Sequence, residues 1–132
     1  MPILTVLIGA PPSPALARDI AEDLLHATEG VLEKRRDLTS IALQFVPPSQ
    51  WTIGGESLET LARPTAFVEI RITDETNTRA QKARYVAVVH ELLAARLGEL
   101  HPVSYVQVTD VRGGAWGWGG RTQEARAHRP EG

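Results

Sequence analysis

Trp51-Thr-Ile-Gly-Gly55 returns later in the chain as Trp116-Gly-Trp-Gly-Gly120. A short aromatic run closed by paired glycines reads as a hairpin turn. Finding it twice divides the sequence into two repeats. In front of the first copy, Pro2 to Ile8 is almost continuously apolar, the pattern of a strand covered on both faces. After Ala10-Pro11-Pro12, Ser13 before Pro14 reads as a helix cap with proline at the first helical position. Leu16, Ile20, Leu24, Ala27, Val31 and Leu32 then recur at helical spacing, with Arg18, Glu22, His26, Glu29 and Glu33 on the opposite face. The helix is expected to end among Glu33 to Asp37, and Ile41 to Val46 supplies a second strand.

The second half repeats this order. Ala66 to Thr73 alternates, with Phe67, Glu69, Arg71 and Thr73 on one face and Val68, Ile70 and Ile72 on the other. Thr78 is the expected cap of a helix with Val86, Val89, Leu93 and Leu97 as its buried stripe, stopping at Gly98. Val103 to Val111 is the next strand. The expected fold is α+β. Two βαβ units form a two-layer, four-stranded mixed sheet with both helices on one face, because each crossover is right-handed. All of residues 1–132 form one domain: repeat one 2–55, linker 56–64, repeat two 65–122 and a frayed tail 123–132. The sheet's other face needs cover, so a closed symmetric oligomer is expected.

Composition narrows the chemistry. With 132 residues and 42% hydrophobic content the chain can bury a core. It has no cysteine, which removes disulfides and thiolate sites and makes the cytoplasm the expected compartment. No apolar run approaches the roughly 20 residues of a membrane helix, and the start lacks the pattern of a signal peptide. A net charge of −2 gives no reason to expect nucleic acid or an anionic membrane as partner. Four scattered histidines offer no ligand spacing, and the glycine-rich Gly113–Gly120 lacks a phosphate loop's Lys-Ser/Thr ending. Neither metal nor other cofactor is expected. Residues 1–62 carry 4 Lys/Arg against 8 Asp/Glu and residues 63–132 carry 10 against 8, so a cation for a small anionic or carbonyl substrate is sought in the second half.

The opening Met-Pro-Ile-Leu-Thr-Val-Leu-Ile, the amphipathic helix, the second strand and the hairpin ending Gly54-Gly55 together resemble the tautomerase superfamily. The first repeat is similar to a complete 4-oxalocrotonate tautomerase subunit. The whole chain resembles the fused two-repeat members, a group that includes malonate semialdehyde decarboxylase and cis-3-chloroacrylic acid dehalogenase. That resemblance implies a homotrimer and catalysis by Pro2 as an N-terminal secondary amine once Met1 is removed. An α-amino group has a pKa near 8, so modest apolar surroundings make it a base at neutral pH. As a base it moves a proton α to a carbonyl, a keto-enol tautomerisation of a small 2-oxo or enol acid. Protonated, it serves a decarboxylase or a dehalogenase-like hydratase. A catalytically silent trimeric scaffold is the third reading.

The resemblance also sets Trp51 where the family has an aromatic in the active-site wall. It places arginines after the first strand and within the second, where this chain has Pro11-Pro12 and Ala42. In repeat two those positions fall near Thr76-Asn77 and Tyr105, and the proline position falls at about Ala66. Substitute cations are therefore Arg71 first, then Arg112 and Arg121, with Asn77 and Tyr105 as neutral donors. Asp37 resembles in position the decarboxylase's acidic residue but reads as a turn aspartate. His26 reads as a surface residue, His90 as a core or interface one, and Trp116 and Trp118 as packing first and pocket wall second.

Overall fold

The computed structural model describes residues 2–128. In chain order the elements are β1 (Ile3–Gly9), α1 (Pro14–Leu32), β2 (Ser40–Val46), β3 (Thr52–Ile53), β4 (Glu56–Ser57) and α2 (Leu58–Leu61). Then follow β5 (Thr65–Thr73), α3 (Arg79–Leu97), β6 (Tyr105–Val111), β7 (Gly117–Trp118), β8 (Arg121–Thr122) and α4 (Gln123–His128). The main sheet has the order β2-β1-β5-β6; β1 runs parallel to β2, β5 parallel to β6, and the two repeats meet antiparallel through β1 and β5. The α+β architecture expected from the sequence is the one observed.

Period-two burial fixes which side of the sheet faces the helices. Leu4, Val6 and Ile8 of β1 and Ala66, Val68, Ile70 and Ile72 of β5 are fully buried. They meet Ile20, Leu24 and Leu32 of α1 and Tyr85, Val89 and Leu93 of α3. The buried stripe of α3 thus differs from the expected one: Tyr85 takes the place given to Val86, which is exposed. Tyr85 also reaches across to α1, where its hydroxyl lies 2.8 Å from Thr28 Oγ1. Ser13 caps α1 by accepting from the Leu16 amide, and Thr78 with Gln81 forms a capping box on α3.

The remaining sheet face carries Ile3, Thr5 and Leu7 of β1 with Phe67, Glu69 and Arg71 of β5, uncovered within one chain. Ile3 is 38% exposed. The apolar run at the start of the sequence therefore has cover on one face only in the single chain.

Both hairpins turn on paired glycines with positive φ, Gly54 and Gly55 at +60° and +84°, Gly119 and Gly120 at +60° and +79°. Two successive positive φ values are what a tight turn matching the strand twist demands, which is why the glycine pair is written twice. Each hairpin then runs into a short helix. Strand β4 and helix α2 occupy the expected linker 56–64, and α4 occupies most of the expected tail; residues 129–132 of that tail lie outside the described residues. Gly9, at the end of β1, is closely hemmed in. A Cβ there would sit 2.6 Å from Leu58 Cδ1, 2.9 Å from Trp51 Cε3 and 3.1 Å from Thr65 Cγ2. Gly9→Ala is accordingly expected to cost about 1–3 kcal/mol of overpacking, read as a lowered urea midpoint with an unchanged slope.

Candidate active site

Pro2 is buried at the entrance to β1, where its carbonyl accepts a 3.2 Å hydrogen bond from the Ser40 amide. It lines a cleft of about 450 Å³. Two segments complete the cleft. From repeat one come Ile3 and the stretch Asp37 to Ser40, delivered by the 3₁₀ turn Arg36–Leu38 that feeds β2. From repeat two come Trp116, Gly117 and Trp118 of the second hairpin. The hairpin arrives there because β1 and β5 are antiparallel, which sets the end of repeat two beside the beginning of repeat one.

Three of the wall residues are held by side-chain contacts. The Trp116 indole N–H donates to Thr73 Oγ1 at 3.2 Å. Trp118 lies under the Arg126 guanidinium, 3.6 Å from the ring centroid, and its carbonyl accepts from Arg126 Nη2 at 2.9 Å. Asp37 is gripped by Arg35 through two bonds of 3.1 and 2.7 Å. Asp37 is a turn residue, as read from the sequence, and it also lines the Pro2 cleft.

The other candidates are scattered. Arg71 is the register partner of Ile3 on the open face, with its guanidinium 3.3 Å from Glu69, which also accepts from Thr109 at 2.7 Å. Arg71 is near the cleft in register but does not line it. Arg112 follows β6 at the same end of the sheet, exposed and outside the lining. Arg121 sits in β8 opposite Trp118. Asn77 Nδ2 donates to the Leu32 carbonyl at 2.9 Å and to Gln81 Oε1 at 3.1 Å, tying the end of α1 to the start of α3.

Trp51 and Tyr105 lie at the far end of the sheet. Trp51 packs on Gly9, the last residue of β1, while Pro2 precedes the first. Tyr105 opens β6 beside Phe67, 62% exposed. The nearness of Trp51 to Pro2 expected from the sequence does not hold within one chain, because the hairpin that reaches Pro2 belongs to the other repeat. His26 is exposed beside Glu22 at 3.3 Å, and His90 is half-buried on α3.

A roomier cleft of about 610 Å³ occupies the far end. Its two arginines are engaged: Arg63 donates to the Glu99 and Leu100 carbonyls, and Arg96 pairs with Asp23. It has no counterpart of Pro2. With residues 3–9 of β1 matched to residues 67–73 of the second parallel ladder, Pro2 falls on Ala66, fully buried inside β5.

Solved structures share this architecture over nearly the whole chain. The chain is similar to a native fused 4-OT with a TM-score of 0.85 at 22% identity, covering 95% of this chain and 98% of that one. The chain has the fold of the fused 4-OT structures, two βαβ repeats in one subunit. A further fused 4-OT, an asymmetric trimer, aligns with a TM-score of 0.81 at 24% identity over 95% and 98% of the two chains. The FG41 malonate semialdehyde decarboxylase inhibited by 3-bromopropiolate aligns with a TM-score of 0.75 at 18% identity over 98% and 99%. No protein-family model matches the sequence, and comparison with curated proteins returns no relative.

Among the described residues, no group of histidine, cysteine, aspartate and glutamate is placed to hold a metal. No helix among them is long and apolar enough to cross a membrane. The Pro2 cleft combines a strand-start proline, a carboxylate and two indoles.

Proposed function

We propose that the chain is a cofactor-independent tautomerase in which Pro2, freed by loss of Met1, is the general base. The observation that carries this reading is the position of Pro2 in a cleft walled by Ile3, Leu38 and two tryptophans. Apolar surroundings disfavour the charged form of an amine, and a ring nitrogen holds its lone pair in a fixed direction. The nitrogen takes the proton from the carbon α to the carbonyl, the C–H pair becomes the C=C bond of the enol, and the Ser40 hydroxyl at the cleft edge serves as donor to the carbonyl oxygen. The C=O π pair moves to the oxygen, which takes the proton back from the prolyl nitrogen, completing the enol and restoring the neutral amine.

A second reading has its own observation. Asp37 lies in the same cleft, as an acid-type mechanism with protonated Pro2 would use it to orient water or a carbonyl in a decarboxylase or hydratase. The two readings part on the titration of the prolyl nitrogen, followed by nitrogen NMR on protein whose intact mass lacks methionine. A pKa below neutral supports the base and one well above it supports the acid. Pro2→Ala is expected to lower kcat/KM by about a hundredfold on phenylenolpyruvate and on its methyl ester alike; equal rates for both proteins on both compounds would leave the silent scaffold standing.

The open face of the sheet, with Ile3, Leu7 and Phe67, supports association into a trimer, as in the fused 4-OT trimers. Sedimentation of the purified chain tests this.

A further inference from the structure

We propose that the Pro2 cleft selects an uncharged, flat, conjugated carbonyl compound, an aldehyde, ketone or ester, and discriminates against carboxylates. The proposal rests on Pro2 being the reactive amine and concerns what that amine meets.

The lining supplies the argument. Its flat apolar surface comes from Trp116, Trp118, Leu38 and Ile3, and its ionisable side chain is Asp37. No lysine or arginine lines the cleft among the described residues. Three cations nearby are paired with carboxylates, and Arg112 is exposed outside the lining. Arg35 is spent on Asp37, Arg36 on Glu22 and Arg71 on Glu69.

Arg126 is the telling case. Its guanidinium stacks on Trp118 and bonds that residue's carbonyl, yet Arg126 is not itself part of the lining. It therefore acts on the wall and leaves the cleft of the single chain without a cation in its lining. An indole fixed in this way offers a rigid surface to a planar π-system at little entropic cost. A carboxylate placed here would lose its water against the indoles, with no guanidinium in the lining to replace it, so desolvation opposes binding.

The experiment compares 2-oxo-3-pentynoate with its methyl ester, which differs by the charge. Pro2 adds to either reagent by forming a bond from its nitrogen to the alkyne β-carbon. The displaced π pair goes to the α-carbon, which takes up the proton the nitrogen loses, so the adduct mass is protein plus reagent. Rates on the full chain are divided by those of prolinamide in solution, which removes the ester's greater intrinsic reactivity. The ester's ratio is expected to exceed the acid's by about tenfold or more. Asp37→Asn, which leaves Arg35 unpaired beside the cleft, should narrow that gap by raising the acid's ratio, whereas Arg126→Met, which frees Trp118, should narrow it by lowering the ester's. An acid ratio equal to or above the ester's in the unaltered chain overturns the selectivity while keeping Pro2 as the amine. An unchanged gap in both variants overturns the assignment of the selectivity to Asp37 and Trp118. If neither reagent labels Pro2 faster than prolinamide, the amine reading falls and takes this proposal with it.

Discussion

Gly117→Ala is expected to remove about 99% of the proposed tautomerase activity while leaving the body of the fold in place. A Cβ at Gly117 would lie 1.8 Å from the Arg121 carbonyl oxygen and 2.7 Å from Thr122 Cα, inside the partner strand of its own hairpin. No rotamer relieves a clash with backbone, so β7 and β8 must separate. Their separation carries away Trp116 and Trp118, which form the repeat-two wall of the Pro2 cleft. A displacement of about 1 Å in a reacting geometry is enough for roughly a hundredfold loss in rate. The core of β1, β5, α1 and α3 does not include the hairpin, so the urea midpoint should move little. Tryptophan near-ultraviolet circular dichroism reports the opened hairpin. Retained activity would show that the hairpin wall is dispensable.

Tyr85 is expected to give the largest stability loss of any single truncation in the α1–α3 contact. It is the largest fully buried side chain, and Tyr85→Ala should cost about 3–5 kcal/mol. Its hydroxyl adds a separate signature. Thr28 Oγ1 donates to the Leu24 carbonyl at 2.8 Å, so the Tyr85 hydroxyl is the donor in the bond between them. Burial pushes the phenol up from 10.0 to about 12. Between those values the folded chain keeps a proton that the unfolded chain has released, so stability falls as pH rises through this window. The contribution is full below pH 10 and amounts to about 2–3 kcal/mol lost by pH 12. Tyr85→Phe should therefore be less stable than the unaltered chain by about 1 kcal/mol at neutral pH and lose that disadvantage in alkali. Urea unfolding of both proteins at neutral pH and at alkaline pH checks the crossing.

The parts legible in the sequence were those written in local pattern. Alternation along β5, the Ser13-Pro14 and Thr78 caps and the paired glycines each depend on residues within a few positions of one another. The arrangement of the site depends on separations that no local pattern records. Trp51 looked close to Pro2 because both lie in repeat one, yet the antiparallel junction of β1 with β5 gives that place to the hairpin of repeat two. Asp37 carries the same turn signature whether or not a cleft opens beside it. Val86 and Tyr85 are adjacent on a helix, and the deeper position goes to the side chain whose hydroxyl finds Thr28. Helix α4 is short and polar, and its visible role, Arg126 over Trp118, exists only after the hairpin has folded. The one sequence clue to it was an arginine a helical turn beyond a tryptophan-glycine hairpin, which means little without the fold.

The crossing of the two repeats also orders events during synthesis. Pro2 leaves the ribosome well before the tryptophans that wall its cleft, with Arg126 later still. A chain emerging from its N-terminus can close the β1–α1–β2 unit early, but the cleft comes into being only when the final hairpin docks. The shape of the cleft at Pro2 is thus a report on the second repeat, and a chain that stops short of the second hairpin carries Pro2 without its wall.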